Sequence, residues 1–542
     1  MSNFTRGMNR ISNPAQASIN APISTNQIRN DAGGYVYRMN DLDRMAQFLV
    51  LGTTSSYYTS DETMLTRNLL DVRAIAYKKP FETLQLINDI NAQGISQKYN
   101  ALILVATMLI FHDDNGVRLK AKFTLGSLVR TGYHALSYLT YLNSIRDMEK
   151  SNGRKVGFGR AKVSVLKNWA ESLTARELVL QRIKYHNRDG MRLEDVFNFA
   201  HPNLESVGPL NNLVGKWIMD NLSEDDEQAL NELIIEGNTV IGQIKAWAEI
   251  NNNEISVAHA AELIREFQIP REGVPTQFLR EIEVWQALLP SMPDHALIRN
   301  LSTMLNNGTF ATESEYIMNR LRDTEKLQKS RVTPMDVLKA WGIIHTQGNP
   351  VLTNQLERTF FDLVKVQKWT NANVLVAVDV SGSMSIPVGD ARNRTGIRAI
   401  EAATGMAQAI RGNFSSVDIV GFDMLIRQPS GMETLNTNFW TGWGGGTDAS
   451  IVVRLMNETA KTYDAVIFIT DNDAWLGRHV QELIKEYRKK RNVNTVLMVN
   501  STASQGYTLA DPNDDLSLDL SGFNTGIIEA LQWKLASVRN AG

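Results

Sequence analysis

Val-Leu-Val-Ala-Val-Asp-Val-Ser-Gly-Ser-Met-Ser, residues 374 to 385, is the stretch whose reading decides the fold. Aliphatic residues run without a charge up to Asp379, the pattern of a strand buried on both faces at the centre of a parallel sheet. Asp379 then stands at the carboxyl end of the strand. Ser381 and Ser383 follow at spacings of two and four, so a loop leaving the strand can turn one carboxylate and two hydroxyls toward a common point. Hard oxygen donors of this kind suit Mg²⁺, or Mn²⁺, rather than zinc.

Two later segments supply what such a site would lack. Gly444-Gly445-Gly446-Thr447-Asp448 is a glycine-rich loop leading into an amphipathic segment, and it can carry the Thr447 hydroxyl to the same rim. Val466-Ile467-Phe468-Ile469-Thr470-Asp471 repeats the pattern of an apolar strand ending in Asp. In an open α/β sheet, ligand groups gather outside the carboxyl ends of the strands, so Asp379, Thr447 and Asp471 can converge from distant parts of the chain.

Taken together these segments resemble the von Willebrand factor A domain with its metal-ion-dependent adhesion site. The resemblance implies that Asp379, Ser381, Ser383 and Thr447 ligate a divalent cation, directly or through water, with Asp471 assisting. One coordination position would stay open for an acidic protein ligand. Two other readings of the Asp are a simple helix-capping turn and a phosphotransferase of the haloacid dehalogenase type. The second expects another carboxylate two residues on, where this chain has Ser381, which has no comparable capacity as a general acid.

The chain has 542 residues, more than one hydrophobic core holds, and two to four domains are expected. Lys and Arg number 56 against 58 Asp and Glu. Neither end of the chain is a bulk polycation, so binding of nucleic acid must rest on a local patch. No cysteine is present, which excludes disulfides, thiolate zinc sites and a cysteine nucleophile. The apolar run from Ala101 to Phe111 is too short to span a bilayer and the amino terminus lacks an apolar signal core. A cytoplasmic protein with no membrane contact, monomeric, is expected.

Residues 1–40 are polar and small and read as a flexible arm. Residues 41–368 show helical periodicity broken by short punctuation, with segments such as Ala101–Phe111, Val163–Leu173, Ala175–Tyr185, Thr239–Ile250 and Gln277–Ala287. They predict an all-α array of stacked helical hairpins, HEAT-like, with no clean repeat period. Residues 369–542 alternate strands (374–380, 417–422, 465–470, 495–499) with helices (395–411, 449–461, 475–490), which predicts a doubly wound, Rossmann-like sheet. The fold class is therefore multidomain, all-α followed by α/β.

Between Arg154 and Arg192 lie ten basic and three acidic residues, in an otherwise neutral half. Within it stand Gly157-Phe158-Gly159-Arg160-Ala161, Trp169, Lys184-Tyr185 and Arg188-Asp189-Gly190. With Phe48 to Thr53, Tyr57-Tyr58, Ala287 to Pro293, Ala296 to Leu301 and Thr333 to Leu338, in this order, the helical part resembles the TROVE module of the Ro ribonucleoprotein autoantigen family. That family joins a ring of helical repeats to a carboxyl-terminal von Willebrand A domain, and a bacterial or phage-type member is expected.

The resemblance implies an RNA-binding protein without catalysis of its own. Small noncoding Y-like RNA would bind a basic outer face and single-stranded 3′ ends of misfolded RNA would enter the ring, in RNA quality control linked in bacteria to an exoribonuclease. The candidate outer-face residues are Arg160, Lys162, Lys167, Arg176, Lys184, His186, Arg188 and Arg192, with Lys120 and Arg299 beside them. Where the family carries Trp-Ser-His, this chain has Met191-Arg192-Leu193. The family's histidine contact is thus absent, and Arg192 is the residue left there to meet a phosphate. RNA of varied sequence is held mainly through phosphates, and unpaired ends add stacking on aromatic rings. For Trp169, Tyr185, Trp247 and Trp285, which lie in helical apolar patterns, core packing is expected.

No Ser-His-Asp arrangement, paired catalytic carboxylates or phosphate-binding Gly-x-x-x-x-Gly-Lys loop is found, so an enzyme is not expected. Two function classes follow: an RNA-binding quality-control protein, and a metal-dependent scaffold in which both parts bind protein partners. The basic segment favours the first, because peptide-binding helical arrays need no such local charge.

Overall fold

The computed structural model describes residues 18–52, 61–96, 99–185, 191–235, 238–252, 254–365, 369–388, 397–431, 434–523 and 525–541. Among them the strands are β1 (Gln27–Arg29), β2 (Tyr35–Arg38), β3 (Trp369–Asp379), β4 (Phe414–Phe422), β5 (Ile426–Arg427), β6 (Ala465–Thr470), β7 (Val496–Ser501), β8 (Tyr507–Thr508) and β9 (Ser517–Ser521). They fall into one compact unit, made of the described residues of 1–75, 92–98 and 321–542; the second unit, 76–91 and 99–320, is helical.

The charge-free run at 374–378 is fully excluded from water because it is central in its sheet. The strand order is β5-β4-β3-β6-β7-β9, parallel throughout except for the antiparallel β4–β5 edge. Asp379 lies beside Phe422 of β4, and Val378 beside Ile469 of β6. Every residue of β6 and β7 is buried, as expected for strands covered on both faces. One face, carrying Leu375, Ala377, Val466, Phe468, Leu497 and Val499, packs on Ile451, Val452, Leu455, Leu483, Ile484 and Tyr487 of the helices Ser450–Glu458 and Val480–Arg491. The helix Ala399–Asn413 packs against β3 and β4. The strand order reverses direction about β3 and β6, so their carboxyl ends flank the crevice where such folds place ligands.

The expected boundary at 368/369 does not coincide with the division into units. The helices Pro334–Thr346 and Pro350–Leu363 belong to the unit that holds the sheet. The Asn413 amide donates to the Val364 carbonyl at 3.1 Å, the Leu435 N–H donates to the Glu357 carboxylate at 3.2 Å, and the Phe360 ring sits against Gly405.

The expectation of a flexible arm over residues 1–40 is corrected for residues 18–40; residues 1–17 lie outside the described residues. β1 and β2 form an antiparallel hairpin that continues onto β8. Ile19 and Val36 enter the sheet's core, and Asn30 donates to the carbonyls of Asn472 at 3.1 Å and Ala474 at 2.7 Å. Gly34 lies so close that a Cβ there would stand 2.2 Å from the Ala474 oxygen. A composition reading missed this because the docking uses strand-edge and side-chain hydrogen bonds plus a few apolar residues, not an apolar stripe.

The second unit is built of the expected helical hairpins. The helix Tyr99–Leu109 buries Leu102, Ile103, Val105, Ala106 and Leu109 and packs on the next two helices, Asn115–Leu128 and Gly132–Ser151. Side chains end the loops and begin the helices: Asp114 accepts from Val117 N–H at 3.1 Å, and Thr174 with Glu177 forms a capping box. Two expected helices start late. Gln277–Ala287 begins at Ile282 after a 3₁₀ turn at Phe278–Arg280, and 475–490 begins at Val480 because 475–479 is loop. Among the described residues no helix is long and apolar enough to cross a membrane.

Candidate functional site

Four sequence-predicted side chains, those of Asp379, Ser381, Ser383 and Asp471, meet at the carboxyl ends of β3 and β6, and the loop carrying Thr447 is tied to the same rim. Asp379 ends β3; its Oδ1 accepts from the Ser381 N–H at 2.9 Å and its Oδ2 from the Thr470 hydroxyl at 2.7 Å. The hydroxyls of Ser381 and Ser383 stand 3.1 Å apart. Asp471 follows β6 and accepts from the Asp473 N–H at 3.1 Å, with the Ser383 hydroxyl bonded to it as well. The glycine loop is tied to this rim from both sides: Gly444 N–H donates to Val380 O at 2.6 Å, and Gly382 N–H to Gly445 O at 3.0 Å. Gly444 and Gly445 have φ of 103° and 95°, a region that L side chains rarely adopt. The Thr447 carbonyl accepts from the N–H groups of Trp475 and Leu476, which fixes it against the loop after β6.

Every member of the set is buried, at 1% exposure or less. Burial raises the proton affinity of Asp379, and the nearby Asp471 raises it further; burial acts on Asp471 in the same direction. Two other buried acids nearby have guanidinium partners: Asp423 with Arg427 at 2.7 Å, and Asp448 with Arg454 at 2.9 Å. Asp379 and Asp471 have none among the described residues. The Thr447 hydroxyl and Asp471 Oδ2 are buried and hydrogen-bonded to nothing among them. A buried carboxylate pair with orphaned oxygens is costly unless a cation compensates it. Two carboxylates and three hydroxyls, all hard oxygen donors, fit Mg²⁺ or Mn²⁺. No group of three or more His, Asp or Glu among the described residues is arranged as a metal site, and this set reaches its donor number through hydroxyls.

Sequence reasoning missed three supporting residues. Thr470 fixes the Asp379 carboxylate. Asp473, also buried, accepts from the Tyr507 hydroxyl at 2.6 Å and the Gln505 amide at 2.8 Å. Asn30 holds the loop carbonyls. The alternation Asp471-Asn472-Asp473 was the available signal for the second; nothing in sequence pointed to Asn30.

The basic candidates are spread over the helical unit. Arg160, Lys162 and Lys167 lie on the helix Arg160–Glu171, Arg176 and Lys184 on Ala175–Lys184, Lys120 on Asn115–Leu128 and Arg299 on Asp294–Asn306. Lys120, Arg160, Arg176, Arg192 and Arg299 are exposed, Lys162, Lys167 and Lys184 half-buried. Lys167 pairs with Glu171 at 3.8 Å, and Arg176 donates to Gln268 at 2.6 Å. Arg192 takes the N-cap position of the helix Leu193–Ala200. His186 and Arg188, like Tyr57 and Tyr58, lie outside the described residues. Arg182, one of the ten basic residues counted, is buried and paired with Glu194 and Asp220, so it adds no surface charge. The structure does bring Lys162 together with Arg118 and Arg154, which the reading by segment had not joined. Trp169 and Trp285 are core residues, while Trp247 and Tyr185 are half-buried.

Comparison with known proteins places these features. The family described as the Ro60 vWA domain matches residues 373–533, and the TROVE domain matches 266–395. A Caenorhabditis elegans protein named RNA-binding protein RO60 is 26% identical over 588 residues, covering 93% of this chain and 89% of that protein. Its namesake from Deinococcus radiodurans is 27% identical over 549 residues, covering 97% of each. The crystal structure of the Deinococcus radiodurans RO (RSR) protein superposes with a TM-score of 0.65 at 23% identity, covering 91% of this chain and 99% of that one, and so shares the fold. The chain thus carries a TROVE-domain match followed by a Ro60-type von Willebrand A-domain match, and over nearly its whole length it is similar to two proteins named RO60.

Proposed function

We propose that this chain binds noncoding RNA through its helical unit and does so without catalysis of its own. The observation that carries this is its likeness, over more than nine-tenths of its length, to two relatives named as RNA-binding proteins. The surplus of exposed Lys and Arg on the helices from residue 160 to 192 supports it, because phosphate contacts provide affinity without sequence readout. Y-like RNA and structured RNA with a single-stranded 3′ end are the proposed ligands, and an exoribonuclease acting on the held RNA is the proposed protein partner. All three follow from the family resemblance.

In the A domain, Asp379, Ser381, Ser383, Thr447 and Asp471 would hold Mg²⁺, or Mn²⁺. When bound, the cation neutralises the two carboxylates and offers a position to an acidic group of a protein ligand. Thr470 holds the Asp379 carboxylate in place, and the glycine loop presents Thr447. The reading of the whole protein as a metal-dependent scaffold explains this cluster but leaves the basic helical surface without a role.

The test is equilibrium binding to a hairpin RNA with and without a single-stranded 3′ tail, titrated over salt, with a charge-matched DNA beside it. Tighter binding of the tailed RNA, with a salt slope equivalent to several phosphate contacts, is expected. Equal, weak binding of every polyanion would refute the proposal. Asp379→Ala should leave RNA affinity unchanged.

A further inference from the structure

A cavity of about 470 Å³ opens in the helical unit between residues 111–113, the start of the helix Asn115–Leu128 and the segment 154–159. Arg118, Arg154, Lys155 and Lys162 line it against one carboxylate, Asp113. Arg154 is already neutralised by Glu149, at 2.6 Å, and by Asp113. The other three cations form no salt bridge among the described residues, though the Arg118 charge also acts on Asp114. Arg118 donates to the carbonyls of His112 at 2.8 Å and Asp113 at 2.6 Å and to the Asn115 side chain at 3.2 Å, all uncharged acceptors. The Lys162 ammonium donates to Gly157 O at 3.2 Å and stands 4.2 Å from the Phe111 ring centroid. Lys155 is exposed and pairs with no carboxylate among the described residues. Burial, followed by the charges of Arg118 and Arg154, lowers the proton affinity of Lys162.

Phe158 adds a half-buried ring to the same wall, held edge-on by Phe199 and capped by the Arg146 guanidinium at 4.5 Å. The volume lies in the range of small-molecule sites and well above what a lone oxyanion fills. A planar Arg fork with two ammonium groups suits the oxygens of a phosphate, and an adjacent aromatic ring suits a base. We infer that this cavity receives one nucleotide of a bound RNA, Arg118, Lys155 and Lys162 meeting the phosphate and Phe158 lying against the base. The inference rests on the RNA-binding reading above and gives it an address outside the TROVE match at 266–395, joining one outer-face candidate, Lys162, to Arg118, Lys155 and Phe158.

The experiment uses the full chain and a fluorescent single-stranded RNA oligonucleotide, with adenosine monophosphate, inorganic phosphate and adenosine as competitors. Adenosine monophosphate should displace the RNA at lower concentration than either of the others. The variant Lys155→Glu/Lys162→Met keeps the aliphatic stem over Phe111; it should bind RNA about tenfold more weakly, with a log–log salt slope shallower by about two. Its melting temperature should match the parent's. Should it melt lower, Lys155→Glu alone, at an exposed side chain, carries the test. A parent that binds RNA and a variant that binds it equally, with the same slope, would overturn the cavity assignment. A parent that binds no RNA, yet binds adenosine monophosphate that the variant loses, would instead overturn the RNA reading and leave the cavity standing. Inorganic phosphate competing as well as adenosine monophosphate would remove the base from the proposal.

Discussion

Gly34→Ala tests whether the amino-terminal hairpin braces the loop that follows β6. The added Cβ would stand 2.2 Å from the Ala474 oxygen and 2.9 Å from the Trp475 Cα, both backbone atoms without a rotamer to escape by. Ordinary contact starts near 3.4 Å, so the hairpin turn must retreat by about 1 Å. That retreat strains the Asn30 bonds to the Asn472 and Ala474 carbonyls. Overpacking of this kind costs about 1–3 kcal/mol, and each hydrogen bond lost adds about 1 kcal/mol. Near 2–4 °C per kcal/mol, a total of about 1–5 kcal/mol lowers the melting temperature by roughly 2–20 °C. The assay is thermal unfolding followed by circular dichroism, with limited proteolysis reporting release of residues 18–40. Gly412→Ala is the control, since a Cβ there meets nothing within 4 Å and the exposed helical position favours Ala. A Gly34→Ala protein as stable as the control, with the hairpin still protected, would refute the bracing role.

Thr447→Val removes a buried hydroxyl that makes no hydrogen bond. Without added metal the variant should be as stable as the parent or slightly more so, whereas the rise in melting temperature produced by Mg²⁺ in the parent, about 2.7 kcal/mol in stability at a hundredfold excess over Kd, should vanish. Scanning both proteins in EDTA and in Mg²⁺ decides it, and an undiminished Mg²⁺ response in the variant counts against Thr447 as a ligand. His134 stacks on Tyr99, and burial followed by the Arg130 charge pushes its pKa down from 6.5 to about 4. Below pH 6.5 the unfolded chain takes up a proton that the folded ring refuses, so stability should decline as pH falls from 6.5 toward 4, by at most on the order of 3 kcal/mol. Urea midpoints across that range should flatten in His134→Gln; an unchanged slope would remove His134 as the cause.

The sheet and the buried cluster at its strand ends were legible because their signals are local and strong. The run at 374–378 has no charge, and each carboxylate stands directly at a strand end, so position along the chain fixes position in the fold. The basic residues were legible only as a count. Helical positions two residues apart point in different directions, so Lys162 faces Arg118 and Arg154, while Arg182, on the next helix, turns inward to Glu194. The hairpin at 27–38 was not legible. Its strands have three and four residues, and what holds them is a set of carbonyls on a loop more than 430 residues away.

That separation has a consequence for how the protein is made. Asn30 and its acceptor at Asn472 are 442 positions apart, and the Asp31 N–H donates to the Tyr507 hydroxyl 476 positions away, so residues 18–40 leave the ribosome long before the strands that receive them exist. At 5–20 residues per second the interval is roughly 20–90 seconds. During it the edges of β1 and β2 are unpaired and Ile19 and Val36 have no core to enter. The last step of assembly is therefore the return of the oldest part of the chain to the youngest, and a nascent chain stalled before residue 470 would display a free strand edge for another molecule to capture.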